Sequence, residues 1–142
     1  MDFSNVLFSV QDKLPKDGIS AMTLKEKFES LSESKQQEVV SNLPMLGLKS
    51  PALVFWVGTF LFGVFGVGRF MIGDIALGCV RLGLFLAWII FAILGVVISP
   101  IFSILCIFIS YLAIPIWQIV DMFLVGKKLR KKNFEKILNL MQ

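Results

Sequence analysis

Across the 75 residues from Pro51 to Val125 only four side chains are charged: Arg69, Asp74, Arg81 and Asp121. A bilayer core about 30 Å thick needs about 20 apolar residues at 1.5 Å rise, so an uncharged apolar run of that order reads as a transmembrane helix. Pro51 to Gly68 is one such run, and Leu82 to Val120 is a second with no charge in it. The 44 residues from Leu82 to Val125 would make a single helix about 66 Å long, too long for a bilayer, so the stretch must fold back. Ser99-Pro100 is the natural break, because proline ends or kinks a helix and biases its predecessor away from helix. These features predict an all-α, integral membrane helical bundle with about three transmembrane helices, at 51–68, 75–98 and 101–125. Pro115 should kink the third, a loss that a bundle tolerates.

Charge divides the chain further. Residues 1–50 hold six Lys and seven acids, residues 51–125 are neutral, and residues 126–142 hold six basic residues and one Glu. The net charge of +4 therefore reports a basic tail and no general basic surface. A basic segment beside a membrane points to anionic lipid and a cytoplasmic address, and away from nucleic acid. The chain contains no His, which removes Ser-His-Asp and Cys-His catalysis and the commonest metal ligand. The spans hold no acidic pair and no metal-ligand cluster, so the expectation is no enzyme, no cofactor and no metal. Cys79 and Cys106 lie in apolar stretches and read as small hydrophobes.

The segments flanking the spans look helical. In the small N-terminal domain, residues 1–50, Phe3, Val6, Leu7 and Val10 share one helical face, and Pro15 and Gly18 then break the chain. Thr23-Leu-Lys-Glu26 fits a capping box ahead of Leu24, Phe28 and Leu31. Ser34-Lys-Gln-Gln37 offers a further helix start, with Val39, Val40 and Leu43 on one side, and Pro44 and Gly47 end it. Fifty residues in three short helices bury little core alone, so this piece should dock on something else. No cleavable signal peptide opens the sequence. In the tail, residues 126–142, Phe134, Ile137, Leu138 and Met141 form one apolar stripe. Lys127, Lys128, Arg130, Lys131 and Lys132 supply the charge. That pattern predicts a basic amphipathic helix in the headgroup plane of an anionic leaflet, with those five residues as lipid ligands.

The loop between the first two spans is the most specific segment. Gly66, Arg69, Phe70, Gly73, Gly78, Arg81 and Leu82 lie there in order, and Trp117 with Asp121 gives a Trp-x-x-x-Asp pair further on. This pattern resembles the TM-two domain family, in which two transmembrane helices flank a short loop carrying a Gly-rich helix end, an Arg-Phe motif and a second-helix Trp-x-x-x-Asp. Met71 stands where that family usually has Tyr, and the apolar stretch between Leu82 and Trp117 is longer than one family helix. The resemblance implies a small membrane protein of interaction or signalling type without enzymatic activity. Independently of it, an Asp one turn inside a bilayer edge is expensive unless paired. Asp121 is therefore expected to pair with Arg69 or Arg81, and the set Gly66, Arg69, Phe70, Gly73, Gly78, Arg81, Trp117 and Asp121 to act as a structural motif.

The positive-inside rule puts the Lys127–Lys132 cluster in the cytoplasm. Three spans would then put the N-terminal domain outside, in a multi-pass protein of a bacterial inner or plasma membrane. The leading functional expectation is an oligomeric scaffold or interaction module that associates with itself or with another membrane protein, for instance through Gly83-x-x-x-Ala87 and Gly95-x-x-x-Ser99. The alternative is a pore-forming oligomer or membrane-inserting secreted toxin. Against that alternative, Ser103, Ser110 and Gln118 give only a thin polar lining.

Overall fold

The computed structural model describes residues 3–142. They are 86% helical, without strands. The helices are α1 (Phe3–Val10), α2 (Ile19–Glu29), α3 (Glu33–Asn42), α4 (Pro51–Leu53, widening into a π-helix over Val54–Leu61), α5 (Val67–Met71), α6 (Ile75–Ile98) and α7 (Pro100–Leu140). Three helical stretches are long and apolar enough to cross a membrane: Glu33–Leu61, Ile75–Ile98 and Pro100–Leu140. The chain divides into two compact units, a terminal unit (Met1–Pro51 with Gly126–Gln142) and a central unit (Ala52–Val125).

The terminal unit brings the N-terminal segment and the tail, read separately in the sequence, into one compact unit. Val6 and Val10 of α1, Leu14, Leu24 and Phe28 of α2, Val39 of α3 and Leu43 bury together with Ile137 of α7 and Met141 just beyond its end in a single core. The side chain of Phe3, the first residue of the α1 stripe, lies outside the described residues. Phe134 and Leu138 pack on the same core. The tail's apolar stripe is thus consumed by the N-terminal helices and is not free to lie in a headgroup plane. The reason is supply and demand: α1 to α3 lack enough apolar area to close a core, and the tail offers a matching stripe. Burying side chains of the size of Ile137 and Met141 is worth roughly 1.5–3 kcal/mol each. Asn133, 2% exposed, ties the helix to both loops of the unit by donating to the carbonyls of Lys13 (3.1 Å) and Lys49 (3.0 Å).

Local starts also differ from expectation. α2 begins at Ile19 rather than at Thr23, whose hydroxyl donates back to the Ile19 carbonyl (2.9 Å) inside the helix. The capping carboxylate is Asp17, which accepts from the Ser20 N–H (3.0 Å) and the Ser20 hydroxyl (3.0 Å). Those donors hold the Asp17 carboxyl below its ordinary value. α3 begins at Glu33, and Gln36 serves the preceding helix by donating to the carbonyls of Phe28 and Leu31 at 3.1 Å each.

The chain leaves the terminal unit at Pro51 and returns to it at Gly126, so both flanks of the apolar region belong to one compact unit.

The first stretch is not one straight helix. Helix is interrupted over residues 47–50, and α3 belongs to the terminal core. Residues 51–68, expected as one span, stop being helical at Phe62, turn through Gly63–Phe65 and Gly66, and come back as α5. The outgoing and returning arms touch: a Cβ on Gly58 would lie 3.0 Å from the Cα of Gly68. By contrast α6 and α7 are continuous, with Ser99 extended between them and Pro115 inside α7 without ending it. The buried positions of the central unit are mostly small or polar, including Gly58, Thr59, Gly63, Gly66, Gly68, Gly78, Gly95, Ser103 and Asp121. Large apolar side chains face out, the arrangement of helices packed in lipid.

Candidate functional site

The central unit gathers the four charges of the apolar region at one end of the α6–α7 hairpin. Gly66 makes this possible. It sits at φ 75 between the turn and α5, a left-handed conformation that glycine adopts without strain. A Cβ there would lie 2.9 Å from the carbonyl oxygen of Gly78, so α5 approaches α6 through two glycines. The ring of Phe70 fills the remaining space, and a Cβ on Gly78 would lie 2.7 Å from its Cε1. Gly73, also at positive φ, closes α5 and lets the Asp74 N–H return to the Arg69 carbonyl at 2.8 Å. The outcome is a fixed starting point for the Arg69 side chain.

Asp121 of α7 is only 3% exposed. Its Oδ1 accepts from Arg69 Nε (2.9 Å) and from Arg69 Nη2. Its Oδ2 accepts from Arg81 Nη1. Arg69 Nη1 turns to Asp74 Oδ2 at 3.2 Å. Two guanidinium groups and two carboxylates thus form one neutral, largely buried network. The expected Asp121 pairing is realised with both arginines. Asp74, which sequence reasoning left without a role, completes the charge balance; its spacing five residues after Arg69 was the available signal.

The cluster lies at a definite depth on the hairpin. From Pro100 at the tip to Asp121 the helix rises about 32 Å, one hydrocarbon thickness of about 30 Å. The network therefore stands where a membrane-spanning hairpin would meet the headgroups.

Polar side chains facing the seam are also engaged. Gln118 Nε2 donates to the carbonyls of Thr59 (3.0 Å) and Phe60 (2.8 Å), which the end of the π-helix would otherwise leave open. Thr59, the one hydroxyl in 51–68, donates to the Val54 carbonyl at 3.2 Å, a back-bond that matches the widened helix. Ser110 donates to the Cys106 carbonyl (2.7 Å), and Ser103 packs against Gly95 near the hairpin tip. Of the residues that suggested a thin pore lining, Gln118 and Ser110 are bonded within the protein, while the buried Ser103 hydroxyl has no hydrogen-bond partner among the described residues. Sequence reasoning missed the Gln118–Thr59 link, because neither residue shows its partner by spacing.

Trp117, the other half of the Trp-x-x-x-Asp pair, is 56% exposed and lines shallow surface beside Arg69 and Asp121. In the terminal unit, Lys127 and Lys131 are exposed, whereas Lys128, Arg130 and Lys132 are half-buried. Lys131 lies 4.0 Å from Glu135 in an exposed pair that contributes little. Lys136 Nζ donates to the Leu46 carbonyl at 3.3 Å. Among the described residues no group of three or more His, Cys, Asp or Glu side chains is arranged to hold a metal ion, and both cysteines are free thiols. The charged cluster offers neither a nucleophile nor an unpaired base; its chemistry is structural pairing.

Comparison with protein-family models, curated proteins and solved structures finds no match to this chain.

Proposed function

We propose that this chain is a non-enzymatic, multi-pass membrane protein that acts as an oligomeric scaffold or interaction module. In this reading α6 and α7 cross the bilayer as a hairpin, and residues 52–71 enter and leave by the same face. From Pro51 to Leu61 the helix rises at most about 16 Å, half a bilayer, and the turn that follows is covered by the hairpin, the condition under which irregular backbone is tolerated at membrane depth. Both chain ends then share the cytoplasmic side, in keeping with the basic residues from Lys127 onward. Exposed Lys127 and Lys131 remain available to anionic headgroups by charge alone, each worth on the order of 1 kcal/mol near the surface.

The observation that carries the reading is the outward surface of the hairpin. In the most apolar windows of α6 and α7 only 6% of the residues are buried, while Asp121, Gln118 and Ser110 are bonded internally. A surface of this kind is covered by lipid or by other helices. Gly83 supports self-association, because it has open space around it and begins the Gly83-x-x-x-Ala87 face. The second sequence candidate, Gly95-x-x-x-Ser99, is unavailable, since Gly95 packs on Ser103 of its own hairpin. The resemblance of the Arg69-Phe70 loop to TM-two domains agrees with an interaction role.

The test is the mass of the protein in mild detergent and in bilayer discs, with planar-bilayer conductance alongside. Oligomers weakened by Gly83→Leu and an absence of unitary currents are expected. A strictly monomeric chain would sink the scaffold reading, and reproducible channel currents would replace it with the pore.

A further inference from the structure

α7 carries three hydroxyls between Pro100 and Asp121. Ser103 is buried beside Gly95 of its own hairpin, and Ser110 donates to the Cys106 carbonyl at 2.7 Å. Tyr111 faces out instead. It is 76% exposed, and among the described residues its hydroxyl has no hydrogen-bond partner. Its depth makes this costly. Tyr111 stands eleven residues from Pro100 and ten from Asp121, about 16 Å from one and about 15 Å from the other along the helix. That is the middle of a hydrocarbon core about 30 Å thick. A tyrosine is too short to carry its polar tip from there to either headgroup layer, as a long lysine near a helix end does. Lipid at that depth offers neither water nor an ester oxygen, so an open hydroxyl goes unanswered in hydrocarbon. Tyr111 also belongs to the outermost ridge of α7. Ile101, Ile104, Phe108 and Tyr111 are the most exposed large side chains between Pro100 and Pro115, and their 3-4-3 spacing sets them on one face.

We propose that this ridge is a contact between two copies of the chain, with the Tyr111 hydroxyl of one copy bonded to that of the other across a twofold axis along the bilayer normal. The contact deepens the oligomeric reading above and rests on it. A hydroxyl both donates and accepts, so two copies of Tyr111 answer each other, one donating and one accepting. The axis supplies the register. Copies inserted in the same orientation carry Tyr111 at the same depth, and a twofold contact joins a surface to itself. Parallel helices meeting along a 3-4 seam bring like positions together, so Ile101, Ile104 and Phe108 pack on their own counterparts toward the hairpin tip. Lipid has no acceptor for the hydroxyl, and an unrelated protein would have to bring one to that single depth. The Gly83 face lies on α6, close to Arg81 at the boundary, and is a separate surface.

The experiment uses the full chain with Cys79→Ala and Cys106→Ala, reconstituted in lipid vesicles. Ile104→Cys and Phe108→Cys place single thiols on the ridge. Ile93→Cys places one on α6, at an exposed position of similar depth. Under a membrane-permeant copper oxidant, the two ridge thiols should form covalent dimers several-fold more readily than the α6 thiol. In mild detergent, Tyr111→Phe should raise the dimer dissociation constant by about threefold or more, the size of one interhelical hydrogen bond in a membrane. Equal cross-linking at all three positions would overturn the contact, and so would a Tyr111→Phe dimer as tight as the native one. A chain whose mass is monomeric throughout removes the oligomeric reading and this contact together. An oligomer by mass that does not cross-link through Ile104→Cys or Phe108→Cys keeps that reading and overturns this contact alone.

Discussion

Removing the charge of Asp121 should destabilise the central unit by about 3–5 kcal/mol, the usual consequence of leaving a buried ion without its partner. Charge counting makes the prediction sharper. The native cluster holds two positive and two negative groups. Asp121→Asn leaves it at +1, and Arg81→Gln or Arg69→Gln leaves it at −1. Pairing Asp121→Asn with Arg81→Gln restores neutrality and keeps the Arg69–Asp74 pair at 3.2 Å. Pairing it with Arg69→Gln also restores neutrality, leaving Arg81 and Asp74 as the remaining charges. Both double mutants should be more stable than the sum of their single losses. A coupling of roughly 1–3 kcal/mol is expected for groups in one network. Denaturation of the full chain in detergent micelles, followed by tryptophan fluorescence, measures it. Strictly additive losses would refute the network.

Three further outcomes follow from the fold. Reporters fused before Met1 and after Gln142 should lie on one side of the membrane, with a cysteine at Ser99 labelled from the other; reporters on opposite sides would restore an odd number of crossings. Ile137→Ala should cost the terminal unit about 2–5 kcal/mol, read as faster proteolysis within residues 1–50, and unchanged proteolysis would detach the tail from the core. The Asp17 cap should respond to acid: its folded pKa lies below the unfolded one, so its stabilisation is present above the unfolded value of about 3.9 and is lost as pH falls through the lowered folded value. Asp17→Asn, which caps without titrating, should remove that share of the acid sensitivity in a thermal-melt series, and an identical pH profile would show that the cap is not titrating.

Much of the fold was legible because hydropathy is a local property. Four charges in the stretch from Pro51 to Val125, together with Ser99-Pro100, were enough to read α6, α7 and their reversal. The pairing of Asp121 was legible for a different reason, since a carboxylate near a bilayer edge has few affordable alternatives and the region contains only two arginines. Path is not local in this sense. Residues 51–68 have the apolar length of a span, but hydropathy adds the outgoing arm and the returning arm as though they were collinear. What separates them is the widened helix ending at Leu61 and the left-handed Gly66, and a glycine in sequence does not announce its φ.

The tail illustrates a second limit. Phe134, Ile137, Leu138 and Met141 make a stripe that fits a headgroup layer or a protein core equally well, because both present an apolar face beside water. Only the surroundings choose. Leu24 and Phe28, each 1% exposed, need a covering surface that α1 and α3 alone do not complete, and the tail supplies it. In the reading proposed above, with that stripe committed to the core, Lys127 and Lys131 would meet a membrane by charge without an apolar anchor, a weaker and more salt-sensitive contact than an embedded amphipathic helix makes. The same commitment would hold both ends of the chain on one side, with α6 and α7 as the hairpin. Residues 52–71 lie beside that hairpin, where their Arg69 reaches Asp121. The charged cluster is in this sense the clasp of the central unit: it joins the returning arm to both long helices.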